Sequence, residues 1–171
     1  MFAFLSAIAL LQSTAAQADA TPPQPCASED HAAFDFWIGE WDVFQTGGET
    51  KVGESTISRV SGGCAIDERW RPSNGPDGTS VSLLNHRTGR WEQLWIGGDG
   101  RRVDFTGQRV GEAMVMTGYW DDVGGPGVDA LIRIHWTPNE DGSVRQSGEA
   151  SSDHGGTWQP FFDFTYRPSA D

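Results

Sequence analysis

From Ile38 onwards, hydrophobic and polar residues alternate in short runs. Alternation of this kind predicts β-strands that turn one face towards a core. Clusters of Gly, Asn, Asp and Pro separate the runs and predict tight turns. The predicted strands are Ile38–Gln45, Val52–Val60, Ala65–Arg71, Ser80–His86, Trp91–Ile96, Val103–Gln108, Ala113–Trp120, Ala130–Thr137, Val144–Ser151 and Trp158–Arg167.

The short connections between these runs predict antiparallel neighbours, and therefore an all-β, up-and-down sheet of about ten strands. No helical period interrupts the runs, which excludes a parallel α/β sheet. A sheet of this size closes into a barrel that holds one small ligand, or forms a sandwich filled by its own side chains. Ahead of the strands, Ser28 followed by Glu29 and Asp30 predicts a short capped helix. We assign the barrel domain to residues 31–171.

The N-terminus has the pattern of a secretory signal. Met1–Leu11 is apolar, and small residues follow, with Ala-x-Ala ending at Ala18 and again at Ala20. We expect a signal peptide at residues 1–18, with cleavage after Ala20 as the alternative, and a linker at 19–30. The apolar stretch is too short for a stable membrane anchor. The expected location is periplasmic or secreted.

Two cysteines, Cys26 and Cys64, are the only ones in the chain. In an oxidising compartment such a pair forms a disulfide, worth roughly 4 kcal/mol at this separation. Neither cysteine has a neighbouring ligand at metal-binding spacing, so no metal site is expected.

The charge of the chain limits its partners. Twelve Lys and Arg residues stand against 24 Asp and Glu, a formal net charge of −12. Nucleic acids and anionic membrane surfaces bind clustered basic residues, so neither is an expected partner. The oligomeric state stays open.

Two motifs at the ends of the barrel domain point to a family. Gly39-x-Trp41 opens the first strand and Arg167 ends the last, an arrangement that resembles the closing signature of calycin barrels. The resemblance implies that Arg167 covers Trp41 by a cation–π contact. Longer segments are similar to exported bacterial calycin-like proteins of unknown function: FDFWIGEWDV, Gly63-Cys64, Thr88-Gly89-Arg90-Trp91, WTPNEDGSVRQ and DHGGTWQPFFDFTYR. The family implies a barrel with a small apolar ligand, and it supplies no catalytic residue to assign to this chain, so catalysis stays open.

The segment Ser151-x-Asp153-x-Gly155-x-Thr157-Trp158 resembles the Asp-box hairpin of sialidases. It occurs once, and its Ser and Asp side chains suit capping of their own turn. We therefore predict a structural turn between the last two strands.

The alternation also selects candidate cavity residues. Glu68 shares a strand face with Trp70, and Gln93 shares one with Trp95, because every second residue of a strand points the same way. The predicted apolar wall consists of Trp70, Trp95, Met114, Met116, Leu131 and Phe161, and the predicted polar anchors are Glu68, Gln93, Arg133 and His135.

These residues lead us to expect an exported protein that binds a small hydrophobic or amphipathic ligand without a cofactor. One alternative is a barrel isomerase, cyclase or hydratase in which Glu68 and His135 act as acid and base. Haem binding through His135 and glycan binding through exposed tryptophans are further alternatives. An ordinary structural role would pair Glu68 with an arginine such as Arg133 or Arg145.

Overall fold

The computed structural model describes residues 25–170, so the predicted signal peptide at residues 1–18 lies outside the described residues. The described chain begins with one short helix, α1 (Glu29–Ala32), and a 3-10 turn, Asp35–Trp37. No helix in this range is long and apolar enough to cross a membrane. Ten strands follow: β1 (Gly39–Gln45), β2 (Lys51–Val60), β3 (Ala65–Pro72), β4 (Gly78–Asn85), β5 (Arg90–Gly97), β6 (Arg102–Val110), β7 (Ala113–Trp120), β8 (Ala130–Pro138), β9 (Val144–Ser151) and β10 (Gln159–Pro168).

The strands form a closed antiparallel barrel. Each strand pairs with the next along the chain, and β10 pairs with β1 from Trp41 opposite Pro168 to Gln45 opposite Phe164. The prediction of an all-β meander of about ten strands is confirmed, and the strand ends agree to within two residues. The closed sheet removes the exposed strand edges that an open sheet would present.

One end of the barrel, which we call the closed end, is filled by the segment before β1. Phe34 and Trp37 are fully buried there, with their rings stacked at a centroid distance of 4.9 Å. Trp136 and Trp91 meet Phe34 edge-on at 5.3 Å and 5.7 Å. These rings therefore plug the barrel. The opposite end, where β3, β5 and β7 end and β10 begins, is the open end.

The plug is tied to the barrel by several contacts. The disulfide between Cys26 and Cys64 is present as predicted, and it joins the chain before α1 to the turn between β2 and β3. Arg59 on β2 donates to the carbonyls of His31 and Gly63 at 3.0 Å and 2.6 Å. Ser28 caps α1 as predicted, and the helix crosses the boundary that we placed at residue 30 between the linker and the barrel domain.

The turn between β9 and β10 has the expected Asp-box geometry. Asp153 accepts bonds from the Thr157 amide and the Ser151 hydroxyl at 2.8 Å and 2.7 Å. These bonds, led by the one from the Thr157 amide, lower the pKa of Asp153 to about 2. The carboxylate thus holds its own turn, and the prediction of a structural role is confirmed.

The expected stacking of Arg167 on Trp41 is wrong. The Arg167 guanidinium lies 4.3 Å from the ring centroid of Phe44, and it donates to Glu49 at 2.8 Å. Arg167 on β10 lies opposite Asp42 on β1, and both side chains point to the outer face of the barrel. Trp41 is the neighbour of Asp42 on β1, so its side chain points inward. Gly39 has a φ of +155°, which L side chains rarely adopt, and a Cβ there would lie 3.2 Å from the Trp41 ring; both features favour glycine.

Candidate functional site

A cavity of about 270 Å³ occupies the open end of the barrel. Its volume is near the lower limit of the ~300–1,000 Å³ found for small-molecule sites. Aromatic side chains form most of its wall, and polar side chains form its floor, on the side towards the plug. The aromatic residues that surround the opening are Trp70, Trp95, Trp120, Phe161, Phe162 and Phe164.

The aromatic side chains follow one another around the wall. Trp95 and Trp120 have ring centroids 5.0 Å apart, and Phe161 meets Trp120 edge-on at 6.1 Å. Phe162 and Phe164 are stacked at 5.2 Å. Contacts at these distances and angles suit the quadrupoles of the rings. The wall is therefore a nearly continuous apolar surface.

Local backbone features make room for these rings. The pairing of β10 with β9 shifts between Pro160 and Phe162, so Phe161 and Phe162 both reach the cavity although they are consecutive. Gly148 on β9 faces the Phe162 ring, and a Cβ there would lie 2.4 Å from it. A larger residue at this position would displace the ring.

Glu68 on β3 is the acidic group of the cavity floor and is only 5% exposed. Its two carboxyl oxygens accept bonds from the hydroxyls of Ser55 and Ser80 at 3.1 Å and 2.9 Å. Burial raises the pKa of Glu68 to about 7, against the opposing effect of the two serine bonds. The carboxyl therefore changes its charge near neutral pH.

The structural alternative for Glu68, a pairing with Arg133 or Arg145, is wrong. Arg133 is bonded to Glu149 at 2.8 Å, and Arg145 is bonded to Asp163 at 2.8 Å through Nε. All four of these residues lie on the outer side of the sheet. The buried carboxyl thus has neutral hydrogen-bond donors but no counter-charge.

Three further polar groups complete the floor. Gln93 donates to the Ser82 hydroxyl at 3.0 Å, and the Tyr166 hydroxyl donates to Gln146 at 2.7 Å. Burial, with a smaller contribution from the charge of Glu68, raises the pKa of Tyr166 well above its ordinary value. Tyr166 therefore stays neutral at physiological pH.

Five of the ten predicted site residues line the cavity: Glu68, Trp70, Gln93, Trp95 and Phe161. Met114 and Met116 face inward but are fully buried in the core instead of at the cavity wall.

Leu131, Arg133 and His135 were assigned to the cavity, but they lie on the outer face of β8. The inward residues of this strand are Ile132, Ile134 and Trp136, which are almost fully buried. Both faces of β8 carry large side chains. On the outer face, the Arg133 guanidinium lies 4.1 Å from the ring centroid of Trp158. Alternation alone therefore did not identify the inner face.

The position of His135 excludes two roles that we considered for it, acid–base catalysis together with Glu68 and haem ligation. Its Nε2 lies 3.6 Å from Glu149 on the outer face, and partial burial, followed by the charge of Arg133, lowers its pKa. It cannot form an acid–base pair with Glu68, and it cannot ligate a haem inside the barrel. No group of three His, Cys, Asp or Glu side chains between residues 25 and 170 could hold a metal ion.

The tryptophans do not form the outer platform that glycan binding would need. Of the eight, Trp158 alone lies outside the barrel, and Arg133 covers it. The other seven belong to the core or the cavity wall.

Sequence reasoning missed a set of cavity residues that share the inner face with those it found. A signal was present for β10, where Phe162, Phe164 and Tyr166 alternate with polar residues. The missed residues are Phe105, Trp120, Ile134, Gln146, Phe162, Phe164 and Tyr166.

No family model matches the sequence, and comparison with curated proteins gave no significant match. The structure itself defines the class of the protein, an all-β antiparallel ten-stranded barrel with an internal cavity.

Proposed function

We propose that this chain is an exported, calycin-like protein that binds a small hydrophobic or amphipathic molecule inside its barrel. The observation that carries the proposal is the aromatic cavity of about 270 Å³ with a polar floor. Apolar walls with a few polar groups are the usual composition of small-molecule sites. An open void lined by Trp and Phe also leaves apolar area that a ligand would remove from water.

Export to the periplasm or the medium is part of the proposal. The Cys26–Cys64 disulfide supports it, because such bonds persist mainly in oxidising compartments. The apolar N-terminal sequence supports it independently.

Tryptophan fluorescence of the full chain, titrated with neutral amphiphiles such as 2-phenylethanol and 1-octanol, tests the binding proposal. We expect a saturable change with one site per chain, because Trp70, Trp95 and Trp120 line the cavity.

Two matched substitutions locate the signal. Trp95→Phe should remove a large part of the fluorescence change, whereas Trp158→Phe on the outer face should leave it in place. A response that disappears with Trp158→Phe and survives Trp95→Phe would contradict an internal site.

A second candidate is a barrel enzyme in which Glu68 acts as a general acid or base. The observation in its favour is the buried carboxyl in the cavity floor without a counter-charge. Burial raises the pKa of Glu68 to about 7, which suits proton transfer at neutral pH. Native mass spectrometry of protein purified from its own host would reveal a bound molecule. Conversion of that molecule by the wild type, but not by a Glu68→Gln variant that still binds it, would establish the enzyme; equal binding without conversion would reject it.

A further inference from the structure

The charge of the cavity defines its ligand more narrowly than its apolar wall does. Glu68 supplies a carboxyl at the floor, and none of the described residues that line the cavity is Lys, Arg or His. A fatty acid or other carboxylate would place a second negative charge beside Glu68 with no cation to offset it. The lining therefore disfavours anionic ligands.

Building on the proposed binding function, we propose that the ligand is a protonated amine with a compact apolar body, whose ammonium group contacts Glu68 while its body packs against the aromatic wall.

Hydrogen-bonding capacity at the floor supports an ammonium group. An ionised carboxylate has about four acceptor positions, and serine hydroxyls occupy one on each oxygen of Glu68. An ammonium group has three donors and no acceptor. The Gln93 and Gln146 side chains line the same floor as Glu68, and the Gln146 oxygen accepts a bond from the Tyr166 hydroxyl there. A charged donor there would supply the counter-charge that the buried carboxyl lacks.

The wall is also suited to a cation. The negative faces of Trp and Phe rings attract ammonium groups, most strongly where water is excluded. Trp70, Trp95 and Trp120 are three of the cavity's aromatic residues, so a cation that enters the barrel passes indole rings before it reaches the carboxyl.

The loops around the opening carry the same sign of charge as the floor. Carboxylates around an opening raise the local concentration of cations and lower that of anions. The five loops at this end contain one arginine, Arg101, and no lysine. Their acidic residues, all of them exposed, are Glu49, Asp77, Asp99, Asp121, Asp122, Asp129 and Asp153. Glu49 and Asp99 are paired with Arg167 and Arg101, and the other five keep the loops acidic.

Three probes of similar shape and different charge test the proposal: 2-phenylethylamine, 2-phenylethanol and 3-phenylpropanoate, titrated into the full chain at pH 8 by calorimetry. We expect the amine to bind about tenfold or more tightly than either of the other two, because a hydrogen bond to a charged partner exceeds a neutral one. Equal or tighter binding of the alcohol or the carboxylate would overturn the amine assignment and leave the binding function standing. No binding of any probe would overturn both.

A substitution that keeps the shape of the floor isolates the charge. Glu68→Gln should weaken binding of 2-phenylethylamine about tenfold and change that of 2-phenylethanol less than about twofold. Glu149→Gln removes a carboxylate from the outer face and should change neither. An amine affinity that survives Glu68→Gln would overturn the contact with Glu68.

The pH dependence of the wild type provides a second readout that does not depend on any variant. The groups that face Glu68 from neighbouring strands are Ser55, Ser80, Gln93 and Tyr166. Only Tyr166 of these is titratable, and burial raises its pKa well above its ordinary value, so it stays neutral from pH 5 to pH 8. An alkylamine stays protonated between pH 5 and pH 8. Affinity for 2-phenylethylamine should therefore fall about tenfold or more from pH 8 to pH 5, as Glu68 becomes neutral. A flat profile would contradict the proposal.

Discussion

The two ends of the barrel contain similar aromatic side chains and use them differently. At the closed end, Phe34, Trp37 and Trp136 are almost fully buried and pack directly on one another. At the open end, Trp120 and Phe161 touch each other edge-on but border a void. The same residue types thus stabilise the fold where they fill space and form a cavity where they surround it. The difference is one of packing, and composition does not reveal it.

The largest expected effect comes from the same substitution at both ends. Phe34→Ala removes a ring with no exposed surface and should lower the free energy of unfolding by about 3–5 kcal/mol. Phe161→Ala removes a ring that is 42% exposed and should lower it by about 1 kcal/mol or less. Urea denaturation of the two variants measures the contrast. Similar losses of unfolding free energy in the two variants would mean that the aromatic rings are packed equally tightly at both ends.

A somewhat smaller effect is expected from the polar floor of the open end. The pKa of Glu68 rises from an ordinary 4.5 to about 7 on folding, so the folded protein binds more protons than the unfolded chain between those values. Stability from this group is therefore lost as pH rises from about 4.5 to 7, by about 3 kcal/mol in total.

Glu68→Gln should remove that pH-dependent loss, because an amide has no charge to desolvate. We expect the variant to be more stable than the wild type by about 3 kcal/mol at pH 8 and nearly equal to it at pH 5. Thermal or urea denaturation at both pH values gives the difference, in which the other titrating groups cancel. A variant less stable than the wild type at pH 8 would mean that interactions in the folded protein offset the cost of burying the ionised carboxylate.

The smallest effect is expected where a backbone position makes room for the wall. Gly148→Ala places a methyl group against Phe162 and should lower the free energy of unfolding by about 1–3 kcal/mol. Gly48→Ala is the control, since a Cβ there would have its nearest contact at 3.7 Å. Melting temperatures of the two variants, together with titration by 2-phenylethanol, show whether the shifted ring also narrows the cavity. Equal stability of the two variants would contradict the close contact.

Much of the fold could be predicted because side chains alternate between the two faces of a β-strand, and because Gly, Asn, Asp and Pro mark the turns between strands. The same period placed Glu68 and Trp70 on one face, and Gln93 and Trp95 on another, and all four line the cavity. Local sequence signals also sufficed for the Ser28 cap and the Asp153 turn.

The remaining errors have a common physical cause, which is that a period of two does not say which face is inside. On β8, residues 131, 133 and 135 alternate with three equally plausible core residues, and Ile132, Ile134 and Trp136 are the ones buried. The irregular pairing at Pro160 breaks the alternation on β10. The contact of Arg167 with Phe44 depends on the register of β1 and β10, which are far apart in sequence.

The pairing of β1 with β10 also has a consequence for the order in which the molecule becomes complete. The other nine strand pairs join neighbours along the chain, whereas this one joins its first and last strands. During synthesis, which starts at the N-terminus, each new strand can pair with the one before it. The contacts between β1 and β10 join residues that are far apart in sequence, and such contacts form slowly. The last strand also supplies Phe161, Phe162, Phe164 and Tyr166 to the cavity. The cavity is therefore incomplete on the growing chain, and its wall closes only when the final strand has joined the first.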